Sequence, residues 1–450
     1  MQSTLLRAYG EARLPRYTSY PTAPLFSPVV DETVYAGWLS ALAPRDPVSL
    51  YLHIPYCRSM CWYCGCNTTI SARDEPVANY LDVLHREIEM VASQIGRRQR
   101  VKYVHFGGGT PTIMKPAQFI GLVHLLRDAF DIVDDAELAI EIDPRTISRE
   151  MLAAMRGSGI NRASIGVQTF DPKVQQSINR IQSVECTSQT VAALRRIGIN
   201  RINFDLIYGL PNQTVQSCIE TVKTALTMKP DRLAVFGYAH VPDVKKHQRL
   251  IDVKALPDSA ERVEQTVAIA DALVNAGYKQ IGLDCFALPD DELGVAQASH
   301  RLRRNFQGYT SDDCEALIGF GASAIGKTKQ GYVQNETAIG NYSTRVRDGR
   351  LATAKGYSLT SEDRGRAAII ERLMCDFEAD IPGICSRYGL DHAALTGGNE
   401  RLSRAIDEGL AQMDGNILRI ENDHRYLVRV VAAAFDSYLD RSAQRHSKAV

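Results

Sequence analysis

Short runs of β-branched and apolar residues alternate with longer stretches whose apolar positions recur every three or four residues, through the first two thirds of the chain. SLYLHI (49–54), VKYVHF (101–106), ELAIEI (137–142), RASIGVQ (162–168), INFDLIYG (202–209) and RLAVFGY (232–238) have the length and composition of strands. Between them, Tyr80, Leu84, Ile88, Val91 and Ile95 trace one helix face, and Phe119, Leu122, Leu126 and Phe130 another. Near-continuous apolar strands separated by helices predict a parallel sheet covered on its outer face. Six such units over residues 48–300 give an α/β fold class, a partial (β/α)6 TIM-like barrel, with YKQIGLDCF (278–286) as a candidate further strand.

The flanks follow other patterns. Residues 1–47 carry prolines at 15, 21, 24 and 28 and tyrosines at 17, 20 and 35, with little periodicity before Thr33. They read either as an extended arm on the body or as a disordered tail. Residues 301–355 are expected to complete the barrel. Residues 356–450 are expected to form a small, mostly helical domain, opened by a start signal at Ser361 and Asp363 and a stripe of Ala367, Ile370, Leu373, Met374 and Phe377. MDGNILRI within it reads as a hairpin between helices, which has a winged-helix flavour. DNA reading is disfavoured because Lys plus Arg and Asp plus Glu balance at 52 each. No apolar run approaches the roughly 18 residues of a membrane span, and the N-terminus lacks an export core, so a cytoplasmic location without membrane or nucleic-acid partner is expected.

Four of the ten cysteines, Cys57, Cys61, Cys64 and Cys66, fall in one short stretch, CRSMCWYCGC. Thiolates this dense in a chain without an export signal read as soft-metal ligands, and no second knuckle follows to close a zinc tetrahedron. The Cys-x3-Cys-x2-Cys spacing favours an iron–sulfur cluster that leaves one iron open, over structural zinc or a redox dithiol. Cys66 lies too close to Cys64 to wrap back and is counted outside the cluster. The other cysteines read as buried free thiols. Beside this loop in the predicted barrel come GGGTPT after strand two, Glu141 and Asp143 ending strand three, Gln168 ending strand four, Asp205 in strand five and Tyr238-Ala239-His240 ending strand six. Parallel α/β barrels gather active sites at these carboxyl ends.

Together, HIPYC, the CxxxCWYCGCN loop, GGGTPT, NFDLIYGLP and RNFQGYT resemble the bacterial oxygen-independent coproporphyrinogen III oxidases of the radical S-adenosylmethionine (SAM) type. The similarity runs from about Arg16 to the C-terminus. It implies the radical SAM barrel, an N-terminal arm over the active site, a [4Fe–4S] cluster on Cys57, Cys61 and Cys64, and two SAM molecules. Tyr51, Gly108, Glu141 and Ile325 match positions around the first SAM; Tyr63, Gly109, Thr110, Gln168, Arg180, Asp205 and Ala239 match the second. Phe306, Gln307 and Cys66 match positions needed for activity, although by composition alone Phe306 reads as core and Gln307 as surface. The alternative reading of Glu141 and Asp205 is as salt-bridged barrel residues. The implied reaction turns two propionates of coproporphyrinogen III into vinyl groups, giving protoporphyrinogen IX for haem biosynthesis without oxygen. A low-potential donor such as flavodoxin or ferredoxin and a monomer are the implied context. A related haem chaperone, a non-catalytic metal-binding module, and a radical SAM methyltransferase or haem-opening enzyme remain alternatives. Two positions depart from the family, Cys285 where His is usual and Asp243 where an aromatic is common. Cys285 is expected to face the SAM cavity, or else to pack in the core.

Overall fold

The computed structural model describes Tyr9 and residues 12–441. Twelve strands form one sheet: β1 (Val48–Ile54), β2 (Arg100–Gly108), β3 (Asp131–Ile142), β4 (Arg162–Gln168), β5 (Arg201–Tyr208), β6 (Arg232–Gly237), β7 (Lys279–Ile281), β8 (Cys285–Ala287), β9 (Ala316–Phe320), β10 (Ile325–Lys327), β11 (Gly331–Asn335) and β12 (Thr353–Ser358). Their order is β12-β11-β10-β9-β1-β2-β3-β4-β5-β6-β8-β7. β1 to β6 pair in parallel in chain order, and β9 pairs in parallel with β1. The helices α1 (Glu32–Ser40), α2 (Glu75–Ile95), α3 (Pro116–Ala129), α4 (Arg149–Gly157), α5 (Val184–Arg196), α6 (Val215–Thr227) and α7 (Ser259–Asn275) precede the C-terminal α8 (Ser361–Asp376).

The six predicted strands and both predicted helix faces are present. The sheet's two faces differ more than the near-continuous apolar runs suggest. Along β5, Ile202, Phe204, Leu206 and Tyr208 are buried, whereas Arg201, Asn203, Asp205 and Ile207 are half-buried. The apolar set faces the helices, as Phe106 of β2 does in packing edge-on against Phe119 of α3, with ring centroids 5.4 Å apart. The alternate set faces the barrel interior and is polar. At the start of the strands, Arg162 Nε meets Glu137 Oε2 at 2.8 Å, Arg162 Nη2 meets Glu292 at 3.1 Å, and Arg232 Nε meets Asp291 at 2.6 Å. This network floors the barrel, since buried charges persist only when paired. The carboxyl ends remain for chemistry.

Residues 278–287 do not add a parallel unit. β7 and β8 make a hairpin, and β8 runs antiparallel to β6. Cys285 is buried in an apolar cluster with Ile281, Leu302 and Cys375, against Tyr309. It does not face the strand-end cavity.

The strand β9 is tied to the barrel by Glu87 of α2. Its carboxylate accepts from the Gly321 amide at 2.7 Å, Asn335 Nδ2 at 2.7 Å and the Tyr342 hydroxyl at 2.8 Å. Burial pushes this carboxyl up to about 7.

A second core joins α8 to later helices and to the hairpin Ala411–Asp414/Ile417–Ile420, and it includes Leu14, Tyr17 and Tyr20 of the arm. The described part of the arm therefore packs rather than trailing. The cap of α8 is Thr360, one residue before the predicted start, in a reciprocal box with Asp363.

Candidate active site

The cysteine loop leaves the end of β1 and is held from three directions. The Thr110 hydroxyl lies 3.3 Å from Cys57 Sγ, and the Thr68 hydroxyl donates to the same sulfur at 3.4 Å. Arg145 Nη2 and Arg180 Nη1 each donate to Cys61 Sγ at 3.6 Å. The third contact is to backbone. Beyond β6, Lys245 Nζ donates to the Cys66 carbonyl at 2.8 Å, His247 Nε2 lies 2.7 Å from the Cys64 carbonyl, and Gln248 Nε2 donates to the Tyr63 carbonyl at 3.0 Å. Cys66 is exposed, and a hydrogen bond from its thiol to Cys64 holds the Cys64 thiol down at about 6. At Cys57 the Thr110 and Thr68 hydroxyls oppose burial, which still raises that thiol; a bound metal ion would favour the thiolate. Three thiols on one short loop, two with such donors, fit a cluster with one open iron.

The glycines after β2 explain themselves sterically. Gly108 has φ +116°, and a Cβ there would sit 2.8 Å from the His53 ring. At Gly109 it would sit 2.6 Å from the Tyr56 carbonyl. Without side chains, this segment closes on the cysteine loop through Gly109 N to Ile54 O at 2.9 Å and Thr110 N to Tyr56 O at 2.8 Å.

Glu141 belongs to the same knot. It accepts from the Gly108 amide at 3.1 Å and lies 3.2 Å from His105 Nε2, while His105 stacks on Tyr51 at 5.8 Å between centroids. The Tyr51 hydroxyl lies 3.0 Å from His53 Nδ1. Burial would raise the Glu141 carboxyl, but the bonds from His105 and Gly108 hold it below its ordinary value. Two strands away, Asp205 accepts from Ser164 Oγ at 2.9 Å and Asn203 Nδ2 at 2.8 Å. Burial and the nearby Glu141 charge push it up to about 6. Neither carboxylate has an arginine or lysine partner among the described contacts.

Gln168 ends β4 with φ +67°, a left-handed backbone that non-glycine residues seldom adopt. Arg180 donates to the Gly166 carbonyl at 2.6 Å and pairs with Asp143 at 3.5 Å, and its buried Nε has no hydrogen-bond partner. Ala239 follows β6, and its carbonyl accepts from Gln248 at 3.2 Å. Ile325 opens β10, where its carbonyl would crowd a Cβ on Gly319 at 2.8 Å. Phe306 and Gln307 form the turn of the hairpin Arg303–Asn305/Gly308–Thr310. Phe306 is half-buried, edge-on to Tyr332 at 6.0 Å, and Gln307 is exposed. The strand-end residues thus converge on the cysteine loop, whereas Phe306 and Gln307 stand on a separate hairpin. Residues missed in the sequence are His53, His105, Arg145 and the Lys245-to-Gln248 clamp. A signal existed for His53 in HIPYC, but a lone KKHQ carries none.

The radical SAM superfamily pattern matches residues 51–225. The chain is 58% identical over 450 residues to the oxygen-independent coproporphyrinogen III oxidase of Bradyrhizobium diazoefficiens, covering all of both chains. It is 43% identical over 444 residues to that of Paracoccus denitrificans, covering 98% of this chain and 97% of that one. Among solved structures, the Escherichia coli coproporphyrinogen III oxidase, described as a radical SAM enzyme, superposes with a TM-score of 0.90 at 38% identity, covering 94% of this chain and 98% of that one.

Proposed function

The chain belongs to the oxygen-independent coproporphyrinogen III oxidases of the radical SAM superfamily, and from that premise we propose how its own residues divide the work. The reaction is oxidative decarboxylation of two propionates of coproporphyrinogen III to vinyl groups, giving protoporphyrinogen IX in haem biosynthesis. A [4Fe–4S] cluster and SAM are the cofactors; once bound, they would supply the radical chemistry that removes hydrogen from a propionate β-carbon, while the residues below hold and orient them.

Cys57, Cys61 and Cys64 are assigned as the cluster's protein ligands. The observation that carries this is the loop itself, which places three thiols beyond β1 with hydroxyl and guanidinium donors directed at the Cys57 and Cys61 sulfurs. Two SAM molecules are assigned to the strand ends. Tyr51, Gly108, Glu141 and Ile325 serve the first, with Glu141 already ionised and fixed by His105 to receive ribose hydroxyls. Tyr63, Gly109, Thr110, Gln168, Arg180, Asp205 and Ala239 serve the second. The unmet Arg180 Nε supports a further anionic or carbonyl partner there. Cys66, Phe306 and Gln307 are assigned to the substrate side. The described parts of the arm (1–47), barrel (48–300), completing segment (301–355) and C-terminal domain (356–450) act as one enclosure that keeps water from the reacting carbon. Among the described residues no helix is long and apolar enough to cross a membrane. A cytoplasmic monomer fed by flavodoxin or ferredoxin completes the proposal.

Anaerobic incubation of the reconstituted protein with SAM, a reductant and coproporphyrinogen III should give a product lighter by two CO2 and four hydrogens by mass. Recovery of unchanged substrate with SAM consumed would reject the assignment of this reaction.

A further inference from the structure

Beside the strand ends lies a cavity of about 380 Å³, bounded by the arm, the end of β6, α7, the Arg303–Asn305 hairpin and the C-terminal domain. Its described lining brings five arginines, Arg13, Arg16, Arg262, Arg304 and Arg429, against one carboxylate, Asp284. Arg304 Nη1 stands 3.6 Å from Asp284, the one carboxylate of the described lining. The buried Nε atoms of Arg262 and Arg304 have no hydrogen-bond partner. Burial, with Arg16 and Arg304 nearby, pulls the Arg429 guanidinium down to about 10, and burial, with Arg304 and Arg262 nearby, lowers Arg16.

Two glycines clear the space. A Cβ on Gly209, at φ +79°, would stand 2.3 Å from Arg262 Nη1, and one on Gly237 would stand 3.1 Å from Nη2. Arg262 is thereby free to lie over the Tyr208 ring, 5.5 Å from its centroid. The remaining walls include apolar Val235, Leu256 and Phe286. One wall is Ala239, whose carbonyl shares Gln248 with that of Tyr63, so the cavity abuts the peptide that clamps the cysteine loop.

A positive cavity with apolar walls takes an aliphatic carboxylate, and at this volume it holds arms of a large ligand rather than the macrocycle. We propose that it is the anchoring subsite for propionates of the tetrapyrrole that are not undergoing decarboxylation, held by Arg262 and Arg304 with the neighbouring guanidiniums. This rests on the substrate named above and adds how it is held. Anchoring here presents another propionate toward the strand ends.

The test uses the reconstituted holoenzyme with coproporphyrin III, the unreactive oxidised tetracarboxylate, and its tetramethyl ester as fluorescent probes. Arg262→Gln should weaken coproporphyrin III binding about tenfold, the loss of one charge-assisted bond, and leave the ester unaffected. Arg262→Lys should recover part of it. Val253→Glu, at a rim position 62% exposed where folding is not at stake, should weaken the acid similarly by placing a negative charge beside it. KM for coproporphyrinogen III should rise in parallel. Binding and KM unchanged in both Arg262→Gln and Val253→Glu, in a wild type that converts coproporphyrinogen III, would overturn the subsite alone. A wild type that converts none would instead remove the substrate assignment on which the subsite rests.

Discussion

At the scale of single residues, the site is a set of charges and thiols whose states are set by their neighbours. Cys57→Ala, Cys61→Ala and Cys64→Ala should each abolish the cluster's visible absorbance and iron content, whereas Cys66→Ser should keep most of its iron. Equal iron loss in Cys66→Ser would require a fourth protein ligand. Glu141→Ala should retain iron yet suppress 5′-deoxyadenosine formation by about a hundredfold, the scale expected when a group that positions the reactant is lost. Asp205 gives a pH signature. Its folded value, about 6, lies above the ordinary 3.8, so its favourable contribution is present below about pH 3.8 and is lost as pH rises through 6. Asp205→Asn should therefore raise Tm relative to wild type at pH 8 and not at pH 4, while weakening SAM binding at pH 8. A Tm difference independent of pH would show that Asp205 ionises normally. Much of this was legible in the sequence, because cysteine spacing and glycine runs are local signals. The partners of these residues were not. His105 reaches Glu141 because neighbouring β2 and β3 align them, and Arg145 reaches Cys61 across two strand-end loops; spacing along one chain reports neither.

At the scale of elements, helix periods and strand runs were readable because each buries one apolar face. What the strand runs concealed was the polar inner face, since Tyr51, His105, Glu141 and Asp205 each interrupt a run by only one residue. Antiparallel β7 and β8 were hidden for a different reason. A nine-residue stretch carries no mark of its turn direction, so the sequence left Cys285 between the SAM cavity and the core, and the structure places it in the core. Given its apolar surroundings, Cys285→His should lower Tm, by burying an imidazole beside Leu302 and Cys375, without improving protoporphyrinogen yield per SAM. A higher yield would return Cys285 to the substrate pocket. Glu87 shows tertiary structure overriding local pattern, as a carboxylate on the buried face of α2. Glu87→Ala leaves three donors unpaired and should cost about 3 kcal/mol or more, measured by urea unfolding. A cost below about 1 kcal/mol would mean that water replaces the carboxylate.

At the scale of the whole molecule, an ion-paired floor closes one end of the barrel and leaves the reactive end to the arm, the cysteine loop and the C-terminal domain. Leu14, Tyr17 and Tyr20 tie the arm into the C-terminal core, and Arg16 reaches the Gly237 carbonyl at 3.1 Å. Such closure was only partly visible in the chain, because a proline- and tyrosine-rich segment has no periodicity to reveal what it packs against. If the three-thiol loop and the strand ends hold the cluster and SAM together, hydrogen from a propionate β-carbon should end up in 5′-deoxyadenosine. Coproporphyrinogen III deuterated at the propionate β-carbons, incubated anaerobically with reductant, SAM and the reconstituted protein, reports this. Mass analysis of 5′-deoxyadenosine should show deuterium incorporated in step with protoporphyrinogen formation, and none with Cys61→Ala. Protoporphyrinogen formed while the 5′-deoxyadenosine carries no deuterium would contradict the account.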